Sequence, residues 1–227
     1  MTFSIAARCA VTGEIGAAVS SSSISVGARC AWIRAGVGAA MTQNITDPAL
    51  GPRLLDRLAA GEDARTALDS LTASEPRIEY RQLSLIDSGG RTAAWTGAKT
   101  LGIHGTAEGR DCVAAGNLLA DAGVPAAMAA AFEASDPALG LPERLVRAME
   151  AGLAAGGEAG PVHSAALTVC GEPAWPIVDL RADWAEGEAI AALRRLWDLY
   201  RPQMQDYITR AADPASAPAY GVPGDEG

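Results

Sequence analysis

Thr2-Phe3-Ser4-Ile5-Ala6-Ala7-Arg8-Cys9 opens the chain with a period of two. Phe3, Ile5, Ala7 and Cys9 fall on one face, and Thr2, Ser4, Ala6 and Arg8 on the other, as a pleated strand requires. Val11-Thr12-Gly13-Glu14 is turn chemistry, and residues 14–20 resume as a second, antiparallel strand. A loop of small residues follows (Ser20-Ser21-Ser22-Ser23), then an apolar segment through Trp32 and Ile33. The glycine-rich run Ala35-Gly36-Val37-Gly38-Ala39-Ala40-Met41-Thr42-Gln43 reads as a further strand. Together these elements predict an α+β protein built on antiparallel sheets.

The rest of the chain supplies the cover. Asp47 and Pro48 mark a helix start, with Leu50, Leu54 and Leu58 as its apolar stripe and Gly61 as its end. Ala64, Leu68 and Leu71 predict a second helix reaching about residue 73. The pattern returns to β at residues 80–86, turns at Asp87-Ser88-Gly89-Gly90, and continues over 91–95. Residues 96–109, rich in glycine, read as a loop with short strand pieces, and 110–115 as one more strand. Helices are expected over 125–134 and 142–155, ended by Gly156-Gly157. Residues 162–170 and 175–181 read as the closing strands, and 186–200 as the last helix, before Pro202. One domain over 1–211 is expected, followed by a disordered acidic Pro/Ala/Gly tail over 212–227.

Composition narrows the function classes. The 227 residues carry a net charge of −9, with one lysine, Lys99, which argues against binding to nucleic acid. No apolar run is long enough to span a bilayer, and Arg8 and Glu14 interrupt any signal-peptide core, so the cytoplasm is favoured. Cys9, Cys30, Cys112 and Cys170 form no Cys-x-x-Cys pair and read as small buried hydrophobes. With only His104 and His163 besides, no metal-ligand set is apparent, and no phosphate-binding glycine motif opens a helix, so neither metal nor cofactor is expected. Ser164 and His163 are adjacent on a strand and point apart, which disfavours a triad.

Thr2 carries the chemical interest. Removal of Met1, which a small second residue permits, would place an α-amine and a β-hydroxyl on one residue. An α-amine of pKa about 8 can accept the proton of that hydroxyl, the pairing used by N-terminal threonine nucleophiles. The plain alternative is a threonine at position two with no chemical role.

The segments Thr2-Phe3-Ser4-Ile5-Ala6-Ala7-Arg8, Thr12-Gly13-Glu14-Ile15-Gly16 and residues 35–43 resemble the opening of a bacterial family, domain of unknown function 1028. That family is grouped with the N-terminal nucleophile (Ntn) hydrolases. Tyr80-Arg81-Gln82, Thr96-Gly97, Gly116-Asn117-Leu118-Leu119-Ala120, Ser164-Ala165-Ala166-Leu167 and Val178-Asp179-Leu180-Arg181 extend the resemblance, with gaps, to about Tyr200. It implies a four-layer αββα sandwich of two antiparallel sheets, and commonly a homo-oligomer, but no settled activity. In related folds the strand end near Gln43 and Asn44 presents donors to an oxyanion, and the segment after the second strand tunes the nucleophile. Thr2, Gln43 and Asn117 are therefore the candidate catalytic residues. Ser22, Arg34, Arg81 and Asn44 are the candidate substrate-binding ones, Arg81 because a guanidinium can hold a carboxylate bidentately. Two departures stand out. Many relatives carry a Lys or Arg where this chain has Ser22, and often a His where it has Trp95.

These readings point to hydrolysis of a small C–N bond (amide, carbamoyl or peptide) by Thr2. A non-catalytic protein that keeps the fold to bind a small molecule or to assemble is the competing expectation. A scaffold engaging partners through its acidic tail is a third.

Overall fold

The computed structural model describes residues 1–224. Its elements, in chain order, are β1 (Thr2–Arg8), β2 (Ile15–Ser21), α1 (Gly27–Cys30), β3 (Ala31–Arg34), β4 (Gly38–Asn44), α2 (Leu50–Ala59) and α3 (Ala64–Ser74). There follow β5 (Arg81–Asp87), β6 (Thr92–Thr96), β7 (Ile103–Gly109), β8 (Cys112–Leu119), α4 (Val124–Ala134) and α5 (Leu141–Ala154). The chain closes with β9 (Ser164–Cys170), β10 (Pro176–Ala182), α6 (Ala189–Tyr200) and α7 (Met204–Ala212).

The strands form two antiparallel sheets, one of six strands in the order β10-β9-β2-β1-β8-β7 and one of four in the order β3-β4-β5-β6. The alternation in β1 explains its central place. Phe3, Ile5 and Ala7 enter a core shared with α4, α5 and α6, while Ala6 enters a second core between the sheets. Ile15, Ala17 and Val19 from β2 meet Ala39, Met41 and Ile86 from the smaller sheet across that second core. A third core lies outside the smaller sheet, where Leu83 and Leu85 pack under Leu50, Leu54, Leu68 and Leu71 of α2 and α3. Each such fully buried leucine contributes roughly 1.5–3 kcal/mol. Helices thus cover the outer face of each sheet, and the inner faces meet each other.

Local chemistry sets the ends of the elements. Asp63 caps α3 by accepting the Thr66 N–H at 2.8 Å. Asp87 shapes the β5–β6 hairpin, its Oδ1 accepting the N–H groups of Gly89 and Arg91. The four cysteines are free and buried.

Several boundaries differ from the sequence reading. The strand expected over 35–43 begins only at Gly38, because the chain turns at Gly36 (φ 69°) to pair β4 with β3. The helix signalled by Asp47 and Pro48 begins at Leu50, with Asp47 Oδ1 closing a turn onto the Ala49 N–H. Residues 96–109 are more regular than expected: β7 pairs with β8 as an edge strand of the larger sheet. Its side chains are largely exposed and include no apolar alternation, so ladder hydrogen bonds and not burial define it. The chain also continues past Pro202, which sits in a short 3-10 turn leading into α7.

After α7, Arg210 donates to the carbonyls of Pro218 and Ala219 and stacks over Tyr220. The tail proposed over 212–227 therefore includes the last residue of α7 and these contacts, and positions 225–227 lie outside the described residues. Of the aromatic residues near α6, Trp197 is buried and Tyr200 donates to the Ile177 carbonyl, whereas Trp184 is half exposed and stacks on His163. Among the described residues no helix is long and apolar enough to cross a membrane.

Candidate functional site

The register of β1 decides what surrounds Thr2. Thr2 pairs with Ser21 on β2 and with Asn117 on β8, so all three side chains share the face turned toward the smaller sheet. Thr2 is buried at the head of the strand. Its hydroxyl donates to the Met1 carbonyl oxygen at 2.6 Å, and the Ser21 hydroxyl donates to the same oxygen at 2.6 Å. The two hydroxyl oxygens lie 3.3 Å apart. Ser21 Oγ also accepts the Ser23 N–H at 3.1 Å, which fixes its position.

A chain of buried amides joins the sheets just inside this mouth. Ser4 donates to Gln43 Oε1 at 2.7 Å, and Gln43 Nε2 donates to Gln82 Oε1 at 2.8 Å. Asn117 Nδ2 donates to the same Gln82 oxygen at 3.1 Å, and Gln82 Nε2 donates to the Gly116 carbonyl at 3.0 Å. Gln43 therefore directs both its donor and its acceptor into the interior. Asn117 is different, because its Oδ1 is buried with no partner. Such an atom carries the full desolvation penalty of an unmade bond.

The carboxylate of this region comes from Glu158, which directly follows the Gly156-Gly157 pair that ends the helix. Past α5, Gly156 (φ 120°) and Gly157 (φ 60°) reverse the chain through left-handed geometry. Glu158 is then bridged to Leu119, two residues beyond Asn117 on β8. Its Oε2 accepts the Ser22 N–H at 2.9 Å, while Oε1 is buried and unpartnered. Burial pushes this carboxyl up to about 7, and the nearby amino terminus, the Ser22 N–H and His163 only partly oppose it. His163 donates its backbone N–H to the Ser21 carbonyl, and its ring is held by the Ala185 carbonyl and by Trp184. The Met1 thioether lies against Gly160.

The other residues singled out from sequence are distributed as follows. Ser22 joins the site through its backbone N–H. Asn44 (φ 71°) lies one residue beyond Gln43 and straps the rim, donating to the Tyr80 carbonyl at 2.6 Å and accepting the Leu101 N–H at 3.1 Å. Arg81 pairs with Asn44 across the ladder, donates to the Ile45 carbonyl and lies 4.0 Å from Asp47. Arg34 is elsewhere. It faces Gly38, five positions from Gln43 along β4 or about 17 Å at the usual rise, and pairs with Asp56 at 2.8 Å. Thr2, Ser22, Gln43 and Asn117 are thus brought together, Asn44 and Arg81 flank them, and Arg34 is remote. Ser4, Gln82 and Glu158 are the members that the sequence reading did not single out, and Ser21 entered it only within the serine run 20–23, which was expected as a loop and of which Ser20 and Ser21 end β2. Ser4 and Gln82 left a faint trace, as polar residues on strand faces that the fold buries. Among the described residues no three His, Cys, Asp or Glu side chains converge as a metal site would require.

Comparison with known proteins places the chain. The crystal structure of protein SPO2555 from Silicibacter pomeroyi, a DUF1028 protein, is 32% identical, covers 91% of this chain and 89% of its own, and superposes with a TM-score of 0.84. Anbu, the ancestral beta-subunit from Yersinia bercovieri, is 10% identical over 93% of this chain and 97% of its own, with a TM-score of 0.39. No curated protein matches. The family model described as "Family of unknown function (DUF1028)" matches residues 2–193, nearly the whole chain, and the protein belongs to that family.

Proposed function

We propose that the two stacked sheets and their outer helices are the four-layer αββα sandwich of the Ntn hydrolases, and that the protein is an amidohydrolase acting on a small C–N bond. The observation that carries the reading is the setting of Thr2. Its hydroxyl is buried at a strand head beside Ser21 and Asn117, with the open oxygen of Glu158 close to the amino terminus. In this mechanism Met1 is first removed, leaving the α-amine on Thr2. The neutral amine takes the hydroxyl proton as Oγ1 attacks the substrate carbonyl. The amine then protonates the departing nitrogen, and water hydrolyses the acyl-threonine ester.

The Ser21 hydroxyl, released from the Met1 carbonyl, would donate to the developing oxyanion. Asn117 presents an acceptor, Oδ1, and so suits a substrate N–H better than an oxyanion. Glu158, close to the amino terminus, would hold the Thr2 amine in position, although a carboxylate favours the charged amine where a cation at position 22 would favour the neutral one. Gln43 supports this array from behind through Gln82.

The absence of a cation at position 22 favours a second reading, in which the same mouth binds a small amide without turning it over. One experiment separates the two. A chain beginning at Thr2 is assayed against a panel of small amides, carbamoyl compounds and dipeptides, beside its Thr2→Ala variant, with binding followed in parallel. Turnover that falls about a thousand-fold or more in Thr2→Ala is the expected result. Binding without turnover in both proteins would replace the hydrolase by the binding protein.

A further inference from the structure

Four charged side chains are buried by nine-tenths or more among the described residues: Asp87, Glu143, Arg144 and Glu158. Asp87 is paired with Arg91 at 2.7 Å, and Glu143 with Arg147 and Arg194, both at 2.7 Å. Glu158 belongs to the site already described. Arg144 is left, and among the described residues no carboxylate lies within ion-pair distance of it. Its guanidinium lies 3.9 Å above the Phe132 ring and donates to the Phe132 carbonyl at 3.0 Å, while its Nε–H is buried without an acceptor. A guanidinium does not shed its proton in a protein, so burial without a counter-charge is unfavourable unless an anion answers it.

Arg144 forms one wall of a cavity of about 360 Å³. Two more arginines line it: Arg8, at the end of β1, and Arg110, in the β7–β8 turn. Asp111 and Glu133 also line it, but both are engaged. Asp111 accepts from Arg8 at 3.1 Å, and Glu133 accepts the Arg110 backbone N–H at 2.5 Å. The Arg110 side chain meets no carboxylate among the described residues. The cavity therefore carries an excess of positive charge on a chain whose net charge is −9. It sits at the opposite end of β1 from Thr2, about 20 Å away at the usual strand rise.

We propose that this cavity is a second site, which binds a small oxyanion, a carboxylate or phosphate group, between Arg8, Arg110 and Arg144. Arg110 offers parallel N–H donors that match two oxygens of such a group, Arg144 adds its unpartnered Nε–H, and Arg8 shares its guanidinium with Asp111. Arg144, held flat on Phe132, supplies the rigid wall, and the exposed Arg110 closes over the anion from the solvent side. The volume admits a small organic acid or a phosphate with its waters, but not a polymer.

The test uses the full-length protein, titrated separately with sodium phosphate and sodium malonate at constant ionic strength, with amide resonances of residues 8–11 and 109–112 followed by NMR. Saturable shifts with either probe are expected, and the probe that saturates identifies the group as phosphate or carboxylate. Arg110→Ala should weaken binding at least ten-fold, and Thr2→Ala should leave it unchanged. Arg144→Gln should abolish it; because that change also removes a buried side chain from the α4–α5 contact, the exposed Arg110 is the deciding position. Non-saturating shifts with both probes, or unaltered affinity in Arg110→Ala, would overturn the proposal. Binding lost in Thr2→Ala would move the anion to the other end of the sheet and overturn it equally.

Discussion

Glu143 and Glu158 stand at the two ends of α5, one in its first turn and one four residues past its last. Both are buried, yet they behave oppositely. Burial works to raise the Glu143 pKa, but hydrogen bonds from Arg194, Arg147 and Trp197 outweigh it and hold the carboxyl at about 2. Burial also raises Glu158, and there one backbone N–H, the amino terminus and His163 oppose it too weakly, leaving it at about 7. Burial alone thus gives a carboxylate no character; the donors around it do. One end of the helix is a closed ionic clasp between α5 and α6. The other is an open acceptor at the mouth beside Thr2.

The comparison can be broken at either end. The largest effect is expected at the clasp. Glu143→Gln leaves Arg194 facing a neutral group and should lower stability by about 3 kcal/mol at pH 7, read from urea unfolding. Because the folded pKa is depressed, the contribution of Glu143 is complete above its unfolded value of 4.5 and fades as pH falls through about 2. A loss below about 1 kcal/mol would show that the clasp is ornamental.

Glu158→Gln should act in the other direction. With a folded pKa raised above its unfolded 4.5, Glu158 favours the fold most below pH 4.5 and loses that advantage as pH rises through about 7. The variant should therefore be more stable than the parent at pH 8, by about 2–3 kcal/mol, and should flatten the stability profile between pH 4.5 and 7. In a chain that begins at Thr2 it should also impair hydrolysis. An unchanged pH profile would erase the contrast with Glu143.

Smaller changes sharpen the picture. Ser21→Ala removes one of the two hydroxyls on the Met1 carbonyl and should lower stability by about 1 kcal/mol, measured by thermal unfolding. Arg34→Ala breaks an exposed pair with Asp56 far from the mouth and should alter stability by less than about 0.5 kcal/mol, with no effect on amide turnover.

The sequence announced what depends on local chemistry. Phe3, Ile5 and Ala7 marked the strand and its outer face, Leu50, Leu54 and Leu58 the first long helix, and Asp87 to Gly90 a hairpin. Edge strand β7 was hidden because its exposed, glycine-bearing residues carry no burial signal, and α7 because Pro202 reads as a stop although it begins a 3-10 turn. At the mouth, Thr2 was legible as a residue with two possible reactive groups. Gln43 and Asn117 were legible as polar ends of strands, but their directions were not: both turn toward Gln82, a contact that only the stacking of two sheets creates. Glu158 was illegible, since Gly156-Gly157-Glu158-Ala159-Gly160 has the composition of a linker and gains chemistry only when β8 draws it beside Ser22. Arg34 shows the converse. It lies close in sequence to the site segments, but a strand's length removes it from them.

The Met1 carbonyl, gripped by two hydroxyls, makes the first residue a tethered competitor. A group attached to the chain acts at an effective concentration of millimolar order or higher, which a free carbonyl compound of weak affinity does not match. Under the proposed function, the chain that retains Met1 is self-occupied, and removal of that single residue would free the same mouth for a diffusing amide.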